Sequence, residues 1–186
     1  MTLFHILTFA QNLLKERVQT GDIVVDCTCG NGNDTLFLAQ LVGKSGKVYG
    51  FDIQQQAIEK TKELLKEHQL LDQVKCIQDS HEHITQWINE PITAAMFNLG
   101  YLPGGDKKIT THYDTTIKAI EGLLPLLKVN GLITIALYVG HDVGNEAKEV
   151  EKFLMSLPQK QFSVLKYQFI NQVNFPPYLI VVEKKK

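Results

Sequence analysis

The sequence predicts an α/β protein: a doubly wound, mostly parallel sheet of seven strands, one of them antiparallel, with an extra helix ahead of the first strand. Three observations carry this. Short runs of β-branched and aromatic residues alternate with segments of helical period from Ile23 to Leu157. The first run, Val24-Val25-Asp26, leads straight into Cys27-Thr28-Cys29-Gly30-Asn31-Gly32, a glycine turn of the kind that joins a strand to a helix. The final two apolar runs, 162–170 and 179–182, are separated only by 171–178, too short for a helical crossover, so that pair is antiparallel.

Taken in order, Leu3, Ile6, Leu7, Ala10, Leu13 and Leu14 recur at helical spacing, and Gly21 closes the exit from that first helix. Such a helix covers a sheet edge or the mouth of a ligand site. Strands follow over 23–27, 47–51, 74–78, 92–97 and 131–137, with helices over 34–41, 54–69, 84–87, 114–127 and 146–157 between them. Pro125 falls near the end of one helix and Pro158 stops the last. The alternation runs through 1–186 without repeat, linker or low-complexity tract, which predicts one domain.

With 186 residues, 44% of them hydrophobic, the chain can bury a sizeable core but has no room for a second substrate domain. A formal net charge of −1 means that any nucleic acid is held by local contacts and not by a general basic field. Lys184-Lys185-Lys186 reads as a solvated tail. Three cysteines, an odd number, argue against a disulfide framework and for a reducing cytoplasm. Their spacing does not make a metal site, and Cys27, Cys29 and Cys76 read as small buried fillers. No membrane span or signal peptide is visible.

In an open α/β sheet, ligands sit outside the carboxyl ends of the strands. Gly30 and Gly32 let the backbone approach a ligand closely, and Asp52, twenty residues after Gly32, is placed to accept both ribose hydroxyls. A dinucleotide fingerprint wants a third glycine where this chain has Thr35, preceded by Asp34. An acid there repels a pyrophosphate and suits a ligand with a cationic end. S-adenosylmethionine, with its sulfonium, amino group and adenosine, fits better than NAD. An acid, a Gly-x-Gly turn and a second acid after strand two resemble the Rossmann-like class I methyltransferases. Candidate cofactor-binding residues are Asp26, Thr28, Gly30, Asn31, Gly32, Asn33, Asp34, Thr35, Asp52, Gln54 and Asn98. Asp79, Ser80 and His81 join them at the adenine, with Asp79 accepting the exocyclic amine.

Asn98-Leu99-Gly100-Tyr101 follows strand four and is similar in layout to the Asn-Pro-Pro-Tyr loop of methyltransferases acting on base amino groups. A carboxamide oxygen and the next backbone carbonyl hold amine N–H groups and so aim the lone pair. Tyr101 is placed to stack on a flipped base. The loop offers no cysteine nucleophile of the kind a uracil C5 enzyme needs.

The whole loop Asn98-Leu99-Gly100-Tyr101-Leu102-Pro103-Gly104-Gly105-Asp106-Lys107, the earlier Asp26 to Thr35, the later 138–144 and the stretch 171–177 together resemble one family over essentially the full chain. It is the tRNA 5-aminomethyl-2-thiouridine methyltransferases of Gram-positive bacteria and plants, formerly labelled rRNA methylases. The chain departs from the family pattern at Asn145, where a second glycine usually follows Gly144. The resemblance implies S-adenosylmethionine as cofactor, no metal, and N-methylation of the aminomethyl group on the wobble uridine in a tRNA anticodon stem-loop. Leu99, Gly100, Tyr101, Leu102, Gly105, Lys107, Tyr138, His141 and Asn174 are then expected at the substrate, and Asn98 as the catalytic group. A primary amine of pKa ~10.4 must shed a proton first, at a cost of about 4–5 kcal/mol at neutral pH. Asp106 and His141 are the candidate acceptors. Rival readings are a methyltransferase of rRNA or of a small amine, and a non-catalytic module that binds cofactor and RNA. Pairing of two copies as a homodimer would join their basic surfaces.

Overall fold

β-Branched runs with both faces covered become the central strands, because only a strand buried on each side is apolar at every position. In the computed structural model, which describes residues 3–100, 104, 110–139 and 144–186, β1 (Ile23–Asp26) and β4 (Ile92–Asn98) are of this kind. Around them lie β2 (Lys47–Asp52), β3 (Val74–Gln78), β5 (Leu127–Leu137), β6 (Phe162–Tyr167) and β7 (Tyr178–Lys184). The seven strands form one sheet in the order β3-β2-β1-β4-β5-β7-β6. β7 runs antiparallel to both β5 and β6, and the other pairs are parallel. The predicted fold class is the observed one.

Two apolar layers cover the sheet, and period-two alternation assigns neighbours on a strand to opposite layers. Val24 packs with Leu14, Leu38, Ala39 and Leu65 beneath α1 (Ile6–Arg17), α2 (Asn33–Val42) and α3 (Gln55–Glu67). Val25 packs with Phe51, Phe97, Ile120, Leu123, Val150 and Leu154 beneath α4 (Ile84–Trp87), α5 (Tyr113–Leu126) and α6 (Asn145–Met155). The chain winds outward from β1 to β3, then returns to place β4 on the other side of β1. The crevice for a ligand opens at that switch point, above the carboxyl ends of β1 and β4.

Two of the boundaries that differ from expectation do so for a tertiary reason. β5 starts at Leu127, not Gly131, because a register shift between Ile92 and Ala94 lets Leu127 pair with Ile92 while Leu132 pairs with Ala94. Gly131 sits where a Cβ would lie 2.8 Å from the Thr93 carbonyl oxygen, so this glycine marks a close approach inside the sheet and not the start of the strand. β6 ends at Tyr167 and not at Ile170, since β7 offers it no partner beyond Leu179. The first helix ends at Arg17, and Gly21, at φ 94°, makes the turn into β1. Among the described residues no helix is long and apolar enough to cross a membrane.

Candidate active site

The loop after β1 is held from below. Asp26 is fully buried; one carboxylate oxygen accepts from the Thr35 hydroxyl at 2.5 Å and the other from the Thr28 N–H at 3.0 Å. The backbone then passes through left-handed conformations at Gly30 (φ 55°) and Gly32 (φ 86°). A Cβ on Gly32 would stand 2.9 Å from the Thr61 Cα of α3, so only glycine lets the loop lie this close to that helix. Asp52, at the end of β2, accepts from the Gly30 N–H and the Gln54 N–H, each at 2.9 Å. Two strand ends and one helix start are thereby tied into a single rim.

Above this rim opens a cavity of about 930 Å³. Of the expected cofactor contacts, Thr28, Gly30, Asn31, Asn33, Asp34, Asp52, Gln54, Asp79, Ser80, His81 and Asn98 all line it. Leu99, Gly100 and Tyr138, expected at the substrate, also line it. Asp26, Gly32 and Thr35 do not. Asp26 and Thr35 are fully buried and bonded to each other, and Gly32 abuts α3, so all three shape the floor from beneath. Asn174 lies on a neighbouring cavity instead. Tyr101, Leu102, Gly105, Asp106, Lys107 and His141 lie outside the described residues.

Charge along the wall is one-sided. Asp34, Asp52, Asp79 and Glu82 line the cavity, while no described lysine or arginine does. Burial raises the carboxyls of Asp34 and Asp52 above the usual range, while hydrogen bonds from Asn98 to Asp34 and from the Gln54 and Gly30 amides to Asp52 oppose it. A pyrophosphate would find acids and no counter-cation here; a sulfonium or ammonium finds its complement. S-adenosylmethionine therefore fits the donor set present.

Asn98 is oriented by contacts that link distant parts of the chain. Its backbone N–H donates to the Thr28 hydroxyl at 2.8 Å, and its Nδ2 donates to Asp34 Oδ2 at 3.3 Å. A carboxylate only accepts, so the amide's nitrogen end must face Asp34, which leaves Oδ1 as the free acceptor. Gln11, on α1, donates to the other Asp34 oxygen at 3.5 Å. With Leu7 one turn earlier it brings α1 onto the wall, a contribution that a polar Gln among the apolar positions of that helix hinted at.

Asp79 lines the cavity with its oxygens already engaged. Its Oδ1 accepts from the Ser80 N–H (2.7 Å) and from His83 Nδ1 (2.8 Å), and its Oδ2 from Trp87 Nε1 (2.8 Å). These bonds, His83 first, hold its carboxyl below the usual range. Most of its accepting capacity is spent on these nearby donors. His81 beside it is 8% exposed, with Nδ1 on the Cys27 carbonyl oxygen at 3.0 Å and Nε2 buried without a hydrogen-bond partner among the described residues. Burial lowers its pKa, which keeps the ring neutral. With Nδ1 donating, Nε2 is an acceptor. Cys27 and Cys29 are buried free thiols, pushed well up in pKa by burial, and serve as packing. Among the described residues no group of His, Cys, Asp and Glu could hold a metal ion.

The base of the loop after β4 is latched to α6. The Gly100 N–H donates to the Thr111 hydroxyl at 3.0 Å, and the Thr111 N–H donates back to the Gly100 carbonyl at 3.1 Å. The Thr111 hydroxyl donates to Glu146 at 2.6 Å, and that buried carboxylate also accepts from Thr116 at 2.9 Å. Neither Glu146 nor Thr111 was expected at the site, because nothing local in the sequence links residues 100, 111 and 146. Glu146→Ala strands two hydroxyls around a void and is expected to lower stability by about 2–4 kcal/mol. Glu146→Gln, which refills the volume, should recover most of the loss in urea denaturation.

Asp26 makes stability pH-dependent. Burial first, then the neighbouring Asp34 charge, push its pKa up to about 7 against the hydrogen bonds from Thr35 and Thr28. A carboxyl raised on folding contributes stability fully below its unfolded pKa, and loses that contribution as pH rises through the folded value. Between about pH 4 and pH 7 this group alone should withdraw roughly 4 kcal/mol. Asp26→Asn removes the charge while its oxygen still accepts from the Thr28 N–H and its amide nitrogen donates to the Thr35 hydroxyl oxygen. Urea denaturation at pH 5 and pH 8 should show the native chain losing stability relative to that variant as pH rises.

Fold and pocket together define a class I methyltransferase, the class that takes S-adenosylmethionine. Known proteins narrow this further. The family model described as "Putative rRNA methylase" matches residues 48–183, and the chain belongs to that family. A model for protein-L-isoaspartate (D-aspartate) O-methyltransferase matches only residues 2–82, the half that carries the cofactor loop. The crystal structure of a "putative rRNA-methylase" from Clostridium thermocellum is 46% identical, with a TM-score of 0.97 over 99% of this chain and 100% of that one. A "putative methyltransferase" from Streptococcus mutans, in complex with SAH, is 39% identical, with a TM-score of 0.91 over 98% of this chain and 99% of that one. A chloroplastic tRNA (mnm(5)s(2)U34)-methyltransferase of Arabidopsis thaliana is 39% identical over 91% of this chain; the chain spans 65% of its length.

Proposed function

We propose that this chain N-methylates the aminomethyl group of 5-aminomethyl-2-thiouridine at the tRNA wobble position, giving the 5-methylaminomethyl form. The observation that carries the reading is Asn98. Asp34 fixes its amide so that Oδ1 is left to accept an N–H of a substrate amine, which turns the amine lone pair in a set direction. The acidic wall favours a positively charged amine during entry. The Arabidopsis relative, named for the methylaminomethyl-2-thiouridine product, supports the same substrate.

S-adenosylmethionine, when bound, supplies the methyl group as a carbon made electrophilic by its sulfonium. Asp52 is placed to accept the ribose hydroxyls and Asp34 to face the cationic end. Asp79 and Ser80 line the space proposed for the adenine, and Asp79 keeps one accepting position for its amine. Leu99, Gly100 and Tyr138 bound the space left for the substrate. Asp106 and His141 are proposed to take the amine proton. The reaction belongs in the cytoplasm, alongside the tRNA.

Nucleoside mass spectrometry of tRNA from a strain lacking the gene tests the reading. Accumulated 5-aminomethyl-2-thiouridine, converted by the purified protein with S-adenosylmethionine, is the expected result. An unchanged wobble nucleoside, with a methyl group missing from rRNA instead, would overturn it.

A further inference from the structure

Beside the main cavity lies a second one of about 400 Å³, lined by Val139, Lys148, Gln168, Gln172, Asn174 and Phe175 among others. Val139 and Phe175 line both cavities, so the second opens directly beside the first. Its chemistry is different. Three amide side chains each offer a donor and an acceptor, Lys148 brings a single cation, and Phe175 brings an aromatic ring that is 79% exposed.

The backbone under that ring is strained. Asn174 (φ 63°) and Phe175 (φ 52°) are successive non-glycine residues in the left-handed region, and Phe175 precedes Pro176. An L-residue pays roughly 1–2 kcal/mol there, and burial of the ring does not offset it, since the ring points into solvent. An exposed aromatic held against strain at the mouth of a site is placed for a ligand.

Charge narrows the class of ligand. A chain of net charge −1 cannot grip RNA through a broad phosphate field. Single-stranded RNA is instead held by stacking on aromatic rings and by hydrogen bonds to exposed base edges. A ring, amides able to meet either edge pattern, one lysine, and space for about one nucleotide supply those contacts. We infer that the second cavity is the subsite for an unpaired nucleotide next to the one being methylated, with Phe175 stacking on its base, Gln168, Gln172 and Asn174 reading its edge, and Lys148 meeting a phosphate. This rests on the reading above that the substrate is an RNA loop, and it deepens that reading by naming what holds the loop on a nearly neutral protein.

The test uses the full-length protein with SAH and short anticodon-type hairpins carrying 2-aminopurine on either side of the wobble uridine. Quenching at one flank is expected. Phe175→Ala should abolish it and weaken hairpin binding about 5- to 100-fold, the range that one base stack supplies. Phe175→Trp should restore both, and SAH affinity by calorimetry should stay unchanged in each variant. Lys148→Ala should lower the slope of log affinity against log salt by about 0.7, the single-strand value for one phosphate.

Quenching at neither flank, or wild-type hairpin affinity in Phe175→Ala, would overturn the subsite. A fall in SAH affinity that matches the fall in hairpin affinity would do the same, because the residue would then belong to the cofactor site. The two readings also separate. If the native protein methylates wobble uridine and Phe175→Ala does so equally well, the subsite falls and the function stands. If the native protein quenches and binds the hairpin through Phe175 but methylates no wobble uridine, the function falls and the subsite stands.

Discussion

Asn98→Ala is expected to lower turnover by about a thousandfold while leaving affinity for SAH within about threefold. The two readouts part because the residue's contacts have different jobs. Its backbone N–H, bonded to Thr28 at 2.8 Å, helps set the end of β4 and survives the substitution. Its carboxamide, anchored on Asp34, is what faces a substrate amine. Loss of that acceptor leaves the amine free to rotate its lone pair away from the methyl carbon, and orientation of this kind contributes several kcal/mol to the barrier. Asn98→Asp is the harsher variant, since it sets one carboxylate 3.3 Å from another. Single-turnover methylation of wobble-unmethylated tRNA, run beside calorimetry with SAH, checks both halves. Retained turnover in Asn98→Ala would remove the lone-pair argument.

The second large effect is at Asp52. Two ribose hydroxyls donating to one carboxylate contribute roughly 1.5–3 kcal/mol each, so Asp52→Ala should weaken cofactor binding about 10²- to 10⁴-fold. Part of the loss comes from the loop itself. Without the carboxylate, the Gly30 and Gln54 N–H groups lose the acceptor that joins the β1 and β2 ends. Asp52→Asn keeps one acceptor oxygen and is expected to fall about tenfold below the native chain. Calorimetry with S-adenosylmethionine and with SAH decides it, and unchanged affinity in Asp52→Ala would mean that the ribose lies elsewhere.

Much of the site was legible from the sequence because it lies at strand ends. Hydrophobic period locates where a strand stops, and in a doubly wound sheet the residues just past that point face the ligand. Thr28, Gly30, Asp34, Asp52, Ser80 and Asn98 are all of this kind, and all line the cavity. Asp26 and Thr35 were read as ligand contacts from the same motif, yet they are buried and hydrogen-bonded to each other. Sequence spacing placed them near the ligand but could not say on which side of the loop they point. Asp79 also lines the cavity, but its oxygens already have partners. Three nearby donors, Ser80 and His83 in the loop after β3 and Trp87 on α4, reach its oxygens first.

By itself the sequence determined the strand and helix alternation, the antiparallel ending, the glycine turn after the first strand and the acid after the second. These depend on residues within a few positions of one another, where period, turn chemistry and the missing Cβ of glycine act. Only the tertiary structure decided which partner each polar atom takes. Gln11 and Asn98 meet on Asp34 from 23 and 64 residues away, and Glu146 holds Thr111 from 35 residues away. Such pairings follow from how helices dock on the sheet, and no local pattern encodes them. The wall that carries four acids and no described lysine or arginine arises in the same way, since Asp34, Asp52, Asp79 and Glu82 end or follow three different strands and share a surface only once β1, β2 and β3 lie side by side.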